Sequence, residues 1–146
     1  FEAVVPHCSH VVVPVGPTHG DLHPSNVVLP TAGSPLLVDW NRSEQRNPLF
    51  LDTAYAAIRS HQQAHRVTLA PALLAFVDGD LHDPLAVRAA ALLGDLLPFQ
   101  AATLVLLDRI VSYSKPRRRY KPWTLGPLDE ATRALTRRID GRPTDR

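Results

Sequence analysis

The sequence predicts a mainly α-helical chain with a small β-hairpin near its start, an α+β architecture in one compact unit. The 146 residues are 45% hydrophobic and 21% charged, which is typical of a globular chain with one buried core. Two short apolar runs of β type, at 27–29 and 36–38, flank a turn-forming segment rich in proline and glycine. From Leu49 onward, apolar residues recur at intervals of three and four, the spacing of amphipathic helices.

This spacing predicts four or five helices after the hairpin. We expect the first near 50–65 and a shorter one over 69–77 that ends at the turn 78–80. Asp83 followed by Pro84 is a typical N-cap and first helical position, and it opens a run to about residue 97. Pro98 should end or kink that run. Two further helices follow, over about 100–114 and 128–139.

The composition excludes several classes of protein. Cys8 is the sole cysteine, so an internal disulfide and a cysteine-cluster metal site are excluded. The chain has no run of about 18 apolar residues and no visible signal peptide, so we expect a cytoplasmic protein with no membrane partner.

Charge is distributed unevenly along the chain. Residues 1–114 have a net charge of −4 and residues 115–146 a net charge of +6. The basic segment 115–121 has the composition of a phosphate-contacting patch or of a solvated loop. We expect the solvated loop, and no nucleic-acid partner.

Three polar residues around the hairpin form a candidate catalytic constellation. Asn26 precedes the first strand of the hairpin, and Asp39 lies thirteen residues after Asn26. If the turn is centred between residues 32 and 33, Asn26 lies opposite Asp39, and the two side chains can converge on one Mg²⁺ ion. Asp21, five residues before Asn26, would lie beside that ion and could orient a hydroxyl group for phosphoryl transfer.

The stretch from His19 through Asp21 to Asn26, together with Val38-Asp39-Trp40, resembles the aminoglycoside phosphotransferase and choline-kinase-like family. The resemblance implies the C-terminal lobe of a protein-kinase-like fold. It implies that Asp21 is the catalytic aspartate and that Asn26 and Asp39 are magnesium ligands. ATP or GTP would be the phosphoryl donor, and a hydroxyl group on a small molecule the acceptor.

The resemblance also implies two supporting residues. His19 would brace the catalytic loop, and Asp52, near the start of the first predicted helix, would accept hydrogen bonds from the backbone of that loop. The sequence does not identify the nucleotide-binding residues.

The phosphate clamp of such an enzyme is missing from this sequence. It contains neither a glycine-rich loop nor a lysine on a strand before the catalytic loop, and it has no methionine. We therefore expect residues 1–18 to lead in from a separate N-terminal nucleotide-binding lobe, 19–140 to form the C-terminal lobe, and 141–146 to fray. The chain alone should have little or no activity.

Two alternatives use the same residues. His19, Asp21 and His23, joined by His7, His10 or Asp39, could bind zinc in a metallohydrolase. The lobe could instead be a pseudokinase-like binding module without catalytic activity.

Overall fold

The computed structural model of the protein describes residues 11–114 and 125–141. Three features discussed above lie outside these residues: His7 and His10, the basic segment 115–121, and the C-terminal residues 142–146. The described part is mainly helical with a small antiparallel β component, so the predicted α+β class is confirmed at that level.

The described residues contain four strands, which form two separate pairs. Strand β1 (Val15–Thr18) is antiparallel to β4 (Glu44–Pro48), and strand β2 (Val27–Val28) is antiparallel to β3 (Leu36–Leu37). The β1–β4 pair is absent from the sequence analysis, which assigned β1 to the segment that leads into the lobe. Because β4 is polar and largely exposed, it has none of the alternation that indicates a strand.

The β2–β3 hairpin is present, but the predicted register is wrong by one residue. Val27 pairs with Leu37 and Val28 with Leu36. The turn is therefore centred on residue 32, and Asn26 lies opposite Val38, whose N–H donates to the Asn26 carbonyl at 3.0 Å. The loop between the two strands has seven residues, 29–35, and is rich in proline and other turn-forming residues, so the sequence alone does not set this register.

Within the described ranges, five α-helices follow, close to the predicted positions. They are α1 (Phe50–His65), α2 (Leu69–Asp78), α3 (Pro84–Ala91), α4 (Pro98–Ser114) and α5 (Leu125–Ile139). Helix α1 packs against α3, and α2 packs against α5. The core between the helices contains Phe50, Ile58, Leu73 and Leu106, all fully buried.

Helix α3 begins as predicted but ends earlier. The Asp83 carboxylate caps it by accepting the N–H of Leu85 at 2.7 Å. The helix stops at Ala91, not near residue 97, because Gly94 adopts a positive φ of 60° close to the Val12 carbonyl, where a Cβ would lie 2.5 Å from that oxygen. Pro98 then starts α4.

Among the described residues, no helix has both the length and the apolar character needed to cross a membrane.

Candidate active site

The loop of residues 19–26 connects β1 to the hairpin, and its first turn is anchored to helix α1. The Asp52 carboxylate accepts the N–H of His19 at 2.5 Å and the N–H of Gly20 at 2.9 Å. Asp52 lies in the first turn of α1, where the helix dipole favours a negative charge. The contact that the sequence analysis expected for Asp52 is therefore present, and it holds the start of the loop at a fixed place on the helix.

The His19 side chain links the 19–26 loop to the end of the hairpin. Its ring is 2% exposed, and Nε2 lies 2.8 Å from the Val38 carbonyl. Since a carbonyl only accepts, Nε2 carries the proton, while Nδ1 is buried and has no partner among the residues that the structure describes. The Trp40 ring packs against the imidazole edge to face at 4.7 Å. These contacts connect the 19–26 loop to Val38 and Trp40.

Gly20 allows the loop to approach the chain that follows the hairpin. It adopts a φ of +77°, and a Cβ at this position would lie 2.2 Å from the backbone oxygen of Arg42. Only glycine fits this conformation and this spacing. The close approach brings Arg42, at the end of a 3₁₀ turn over Trp40–Arg42, next to Asp21.

The Asp21 carboxylate is held between two arginines. Arg42 Nε lies 3.3 Å from Oδ2, and Arg109 Nη1 donates to Oδ1 at 3.2 Å. The Asp21 side chain is 15% exposed. Arg109 also donates to the Gly20 carbonyl at 2.6 Å, so α4 holds both the backbone and the side chain of the loop.

Arg109 is itself buried and paired. Its side chain is 6% exposed, its Nε donates to Asp108 Oδ2 at 3.1 Å, and its guanidinium carbon lies 4.2 Å from the centre of the Tyr55 ring. Burial acts to lower the pKa of Arg109, but Asp108, Tyr55 and Asp21 together outweigh burial and raise that pKa above its ordinary value. The positive charge at this place is therefore permanent.

Asn26 is fixed in one orientation beside Asp21. The residue is 8% exposed, and its Nδ2 donates to the Asp21 carbonyl at 2.9 Å. Because the amide nitrogen makes this bond, the remaining polar atom of the side chain, Oδ1, is the one that can face a cation.

Asp39 is the least constrained of the predicted site residues. It is exposed and adopts a left-handed backbone conformation, with φ 63° and ψ 55°. The expectation that it lies directly opposite Asn26 is wrong, because Val38 occupies that place. The structure thus joins His19, Asp21, Asn26 and Asp52 by hydrogen bonds within one network, while Asp39 is connected to it through its neighbour Val38.

A cavity of about 510 Å³ opens beside Asp21. Asp21 and His23 line it from the loop, Arg59 and Gln62 from α1, and Arg109 from α4. Its volume is in the range of small-molecule binding sites.

The geometry required for a zinc site is not found in the described part of the chain. Within residues 11–114 and 125–141, no three His, Cys, Asp or Glu side chains are grouped so that they could hold a metal ion. His19 and Asp21, two of the expected ligands, already bind Val38 and the two arginines.

Sequence reasoning missed Arg42 and Arg109. Arg109 is a charge that interrupts an otherwise apolar stretch of the sequence. That interruption is the signal that could have found it, because a charged residue within an otherwise apolar helix needs a buried partner. Arg42 has no comparable signal in the sequence.

Comparisons of the chain with protein-family models, with curated proteins and with solved structures gave no match. The functional interpretation therefore depends on the residues of this chain and their geometry.

Proposed function

We propose that this chain is the C-terminal catalytic lobe of a small-molecule phosphotransferase, which moves the terminal phosphoryl group of ATP or GTP to a hydroxyl group. One observation carries the proposal. The Asp21 carboxylate is fixed in orientation by two ion pairs at the wall of a cavity of about 510 Å³, and Asn26 is bonded to the carbonyl of the same residue.

Asp21 would position the acceptor hydroxyl. A carboxylate has about four lone-pair sites, and the ion pairs with Arg42 and Arg109 engage one on each oxygen. A substrate hydroxyl in the cavity can therefore donate to a remaining site. Phosphoryl transfer depends mainly on positioning and charge stabilisation, so a carboxylate of fixed orientation suits the reaction.

The residues around Asn26 fit a magnesium ion. Asn26 Oδ1 and the Asp39 carboxylate are hard oxygen ligands of the kind that Mg²⁺ prefers. The left-handed backbone of Asp39 is tolerated better by aspartate than by most residues, and such conformations cluster at functional sites. When bound, Mg²⁺ would neutralise charge that develops on the phosphate oxygens.

The exposed surface of the hairpin supports an adjoining nucleotide-binding lobe. Six large apolar residues are exposed there: Val28, Leu29, Leu36, Leu37, Val38 and Trp40. An apolar surface of this kind is typical of an interaction site. We propose that the N-terminal lobe covers it and supplies the contacts to the nucleotide, so that the isolated chain has little or no transferase activity.

Two variants of the complete gene product test the proposal. Asp21→Asn should abolish Mg²⁺-dependent transfer to hydroxyl acceptors while it leaves Mg²⁺–nucleotide binding largely intact. Asp39→Ala should weaken Mg²⁺-dependent nucleotide binding first. Nucleotide binding is measured by calorimetry, and transfer by ³¹P NMR.

Three outcomes would contradict the proposal. Transfer that survives in Asp21→Asn would remove the proposed role of Asp21. Activity that requires Zn²⁺ and not Mg²⁺ would favour a metallohydrolase. Nucleotide binding without any transfer in the unmodified protein would identify a pseudokinase-like binding module.

A further inference from the structure

One arginine in the cavity has no counter-charge among the described residues. Arg59 lies on α1, and its Nη1 donates to Gln62 Oε1 at 3.0 Å. Its Nε is buried and has no hydrogen-bond partner in the part of the chain that the structure describes. A buried N–H donor without a partner costs free energy. Arg59 also lines the cavity, so an anionic group bound there could form a charge-assisted hydrogen bond with its guanidinium.

The other charges at the cavity neutralise one another. The ion pairs described above join Asp21 to Arg42 and Arg109, and Arg109 to Asp108. Two arginines and two aspartates form this network, so its formal charge is zero. Arg59 is therefore the charge that remains to attract a ligand, and the charge is positive.

Arg59 lies away from Asp21 along the same wall of the cavity. Asp52, Tyr55, Arg59 and Gln62 follow one another at intervals of three and four and so share one face of α1. Asp52 binds the backbone at Gly20, next to Asp21, and Arg59 is seven residues further along the helix, a rise of about 10 Å. A ligand that reaches both ends has its hydroxyl group and its second polar group separated by a distance of this order.

We propose that the cavity binds an acceptor with a hydroxyl group at one end and an anionic group, a carboxylate or a phosphate, at the other. The hydroxyl lies at Asp21, and the anionic group accepts from Arg59. A polycationic acceptor would instead place positive charge against an arginine that has no compensating carboxylate. The assignment of the hydroxyl end rests on the proposed phosphotransferase function, but the assignment of the anionic end does not.

Four probes with the same six-carbon chain test the inference by NMR titration of the protein: 6-hydroxyhexanoate, 6-hydroxyhexyl phosphate, 1,6-hexanediol and 6-aminohexanol. We expect at least one of the two anions to bind about tenfold more tightly than the diol and the amine, as is typical of charge-assisted hydrogen bonds. The ratio between the two anions distinguishes a carboxylate ligand from a phosphate ligand. Equal binding of all four probes would overturn the inference.

Matched variants locate the charge that is responsible. Arg59→Gln should remove the preference for anions, and Arg59→Lys should retain it. The control is Arg133→Gln, which makes the same charge change at an exposed ion pair of α5 outside the cavity lining. An equal loss in Arg133→Gln, or a preference that survives in a folded Arg59→Gln, would overturn the inference.

These titrations, combined with the assay for phosphoryl transfer, separate this inference from the proposed function. Anion binding that depends on Arg59 in a complete gene product that transfers no phosphoryl group would sustain the anion site and refute the phosphotransferase. Phosphoryl transfer to acceptors without an anionic group, with no dependence on Arg59, would do the reverse.

Discussion

The 19–26 loop and the hairpin that follows it supply neighbouring parts of the proposed site but are held in different ways. The loop is bound to α1 through Asp52 and to α4 through Arg109, and His19 and Asn26 are buried in it. The hairpin has two residue pairs, and every residue from 28 to 41 is exposed. The position of Asp21 is therefore set by helices α1 and α4, whereas Asp39 lies on a surface with few contacts of its own.

Under the proposed function, the two halves of the site depend on different partners. The acceptor half would be formed by the described residues alone. The metal half is proposed to become fixed only when a second unit covers the hairpin. Substitutions in the loop should therefore lower the free energy of unfolding of this chain more than substitutions in the hairpin.

The largest effect is expected for Arg109→Ala. Removal of the guanidinium leaves Asp21 and Asp108 without a shared partner and the Gly20 carbonyl without a donor, so the free energy of unfolding should fall by about 3–5 kcal/mol. Urea unfolding measures the change. Arg133→Ala, at an exposed ion pair, should cost less than about 1 kcal/mol. Similar losses in the two variants would contradict the contrast between buried and exposed pairs.

The second comparison uses one glycine from each region. In Gly20→Ala, the new Cβ meets the Arg42 backbone oxygen at 2.2 Å and φ is positive, so we expect a loss of about 3 kcal/mol. In Gly33→Ala, φ is also positive but the nearest atom lies 3.9 Å away, so the loss should be about 1 kcal/mol. Thermal unfolding followed by circular dichroism measures both. Equal losses would show that the hairpin is as constrained as the loop.

The smallest effect concerns pH and the far end of α1. Burial and the nearby charge of His65 lower the pKa of His61 below its ordinary value of 6.5. At pH values between the lowered pKa and 6.5, the unfolded chain binds more protons than the folded chain. The contribution of His61 to the folding stability is therefore present above pH 6.5 and is lost as the pH falls through this interval. His65→Gln removes one of the two causes and should make this loss smaller.

Urea unfolding at about pH 8 and about pH 5 measures the change, with His82→Gln as an exposed control. His65 lies ten residues beyond Tyr55, a rise of about 15 Å along α1, so its effect should add to that of Arg109→Ala within about 0.5 kcal/mol. Strong coupling between the two substitutions would show that the loop and the far end of α1 do not behave independently.

Local patterns were enough to predict the positions of the helices. The three- and four-residue spacing located α1 and α2, and Asp83-Pro84 located the start of α3, because caps and amphipathic faces are properties of a few neighbouring residues. The bond from Asp52 to the loop was expected only through the family resemblance, which specifies contacts between distant residues.

Features that depend on tertiary contacts could not be predicted in this way. The end of α3 depends on Val12, which is distant in sequence, and the hairpin register depends on how a permissive loop closes. The pairing of Asp21 with Arg109 spans 88 positions, and no local pattern relates the two residues. The sequence therefore indicated candidate residues for the chemistry, but not the two arginines that hold Asp21 in place.

The 88 positions between Asp21 and Arg109 in the sequence also have a consequence during synthesis of the chain. At about 5–20 residues per second, α4 emerges from the ribosome roughly 4–18 seconds after the loop whose charge it neutralises. During that interval Asp21 can pair with Arg42 but not with Arg109. A nascent chain arrested before α4 should thus carry an incompletely anchored 19–26 loop. The contacts of Asp21 should become complete only when α4 has been translated.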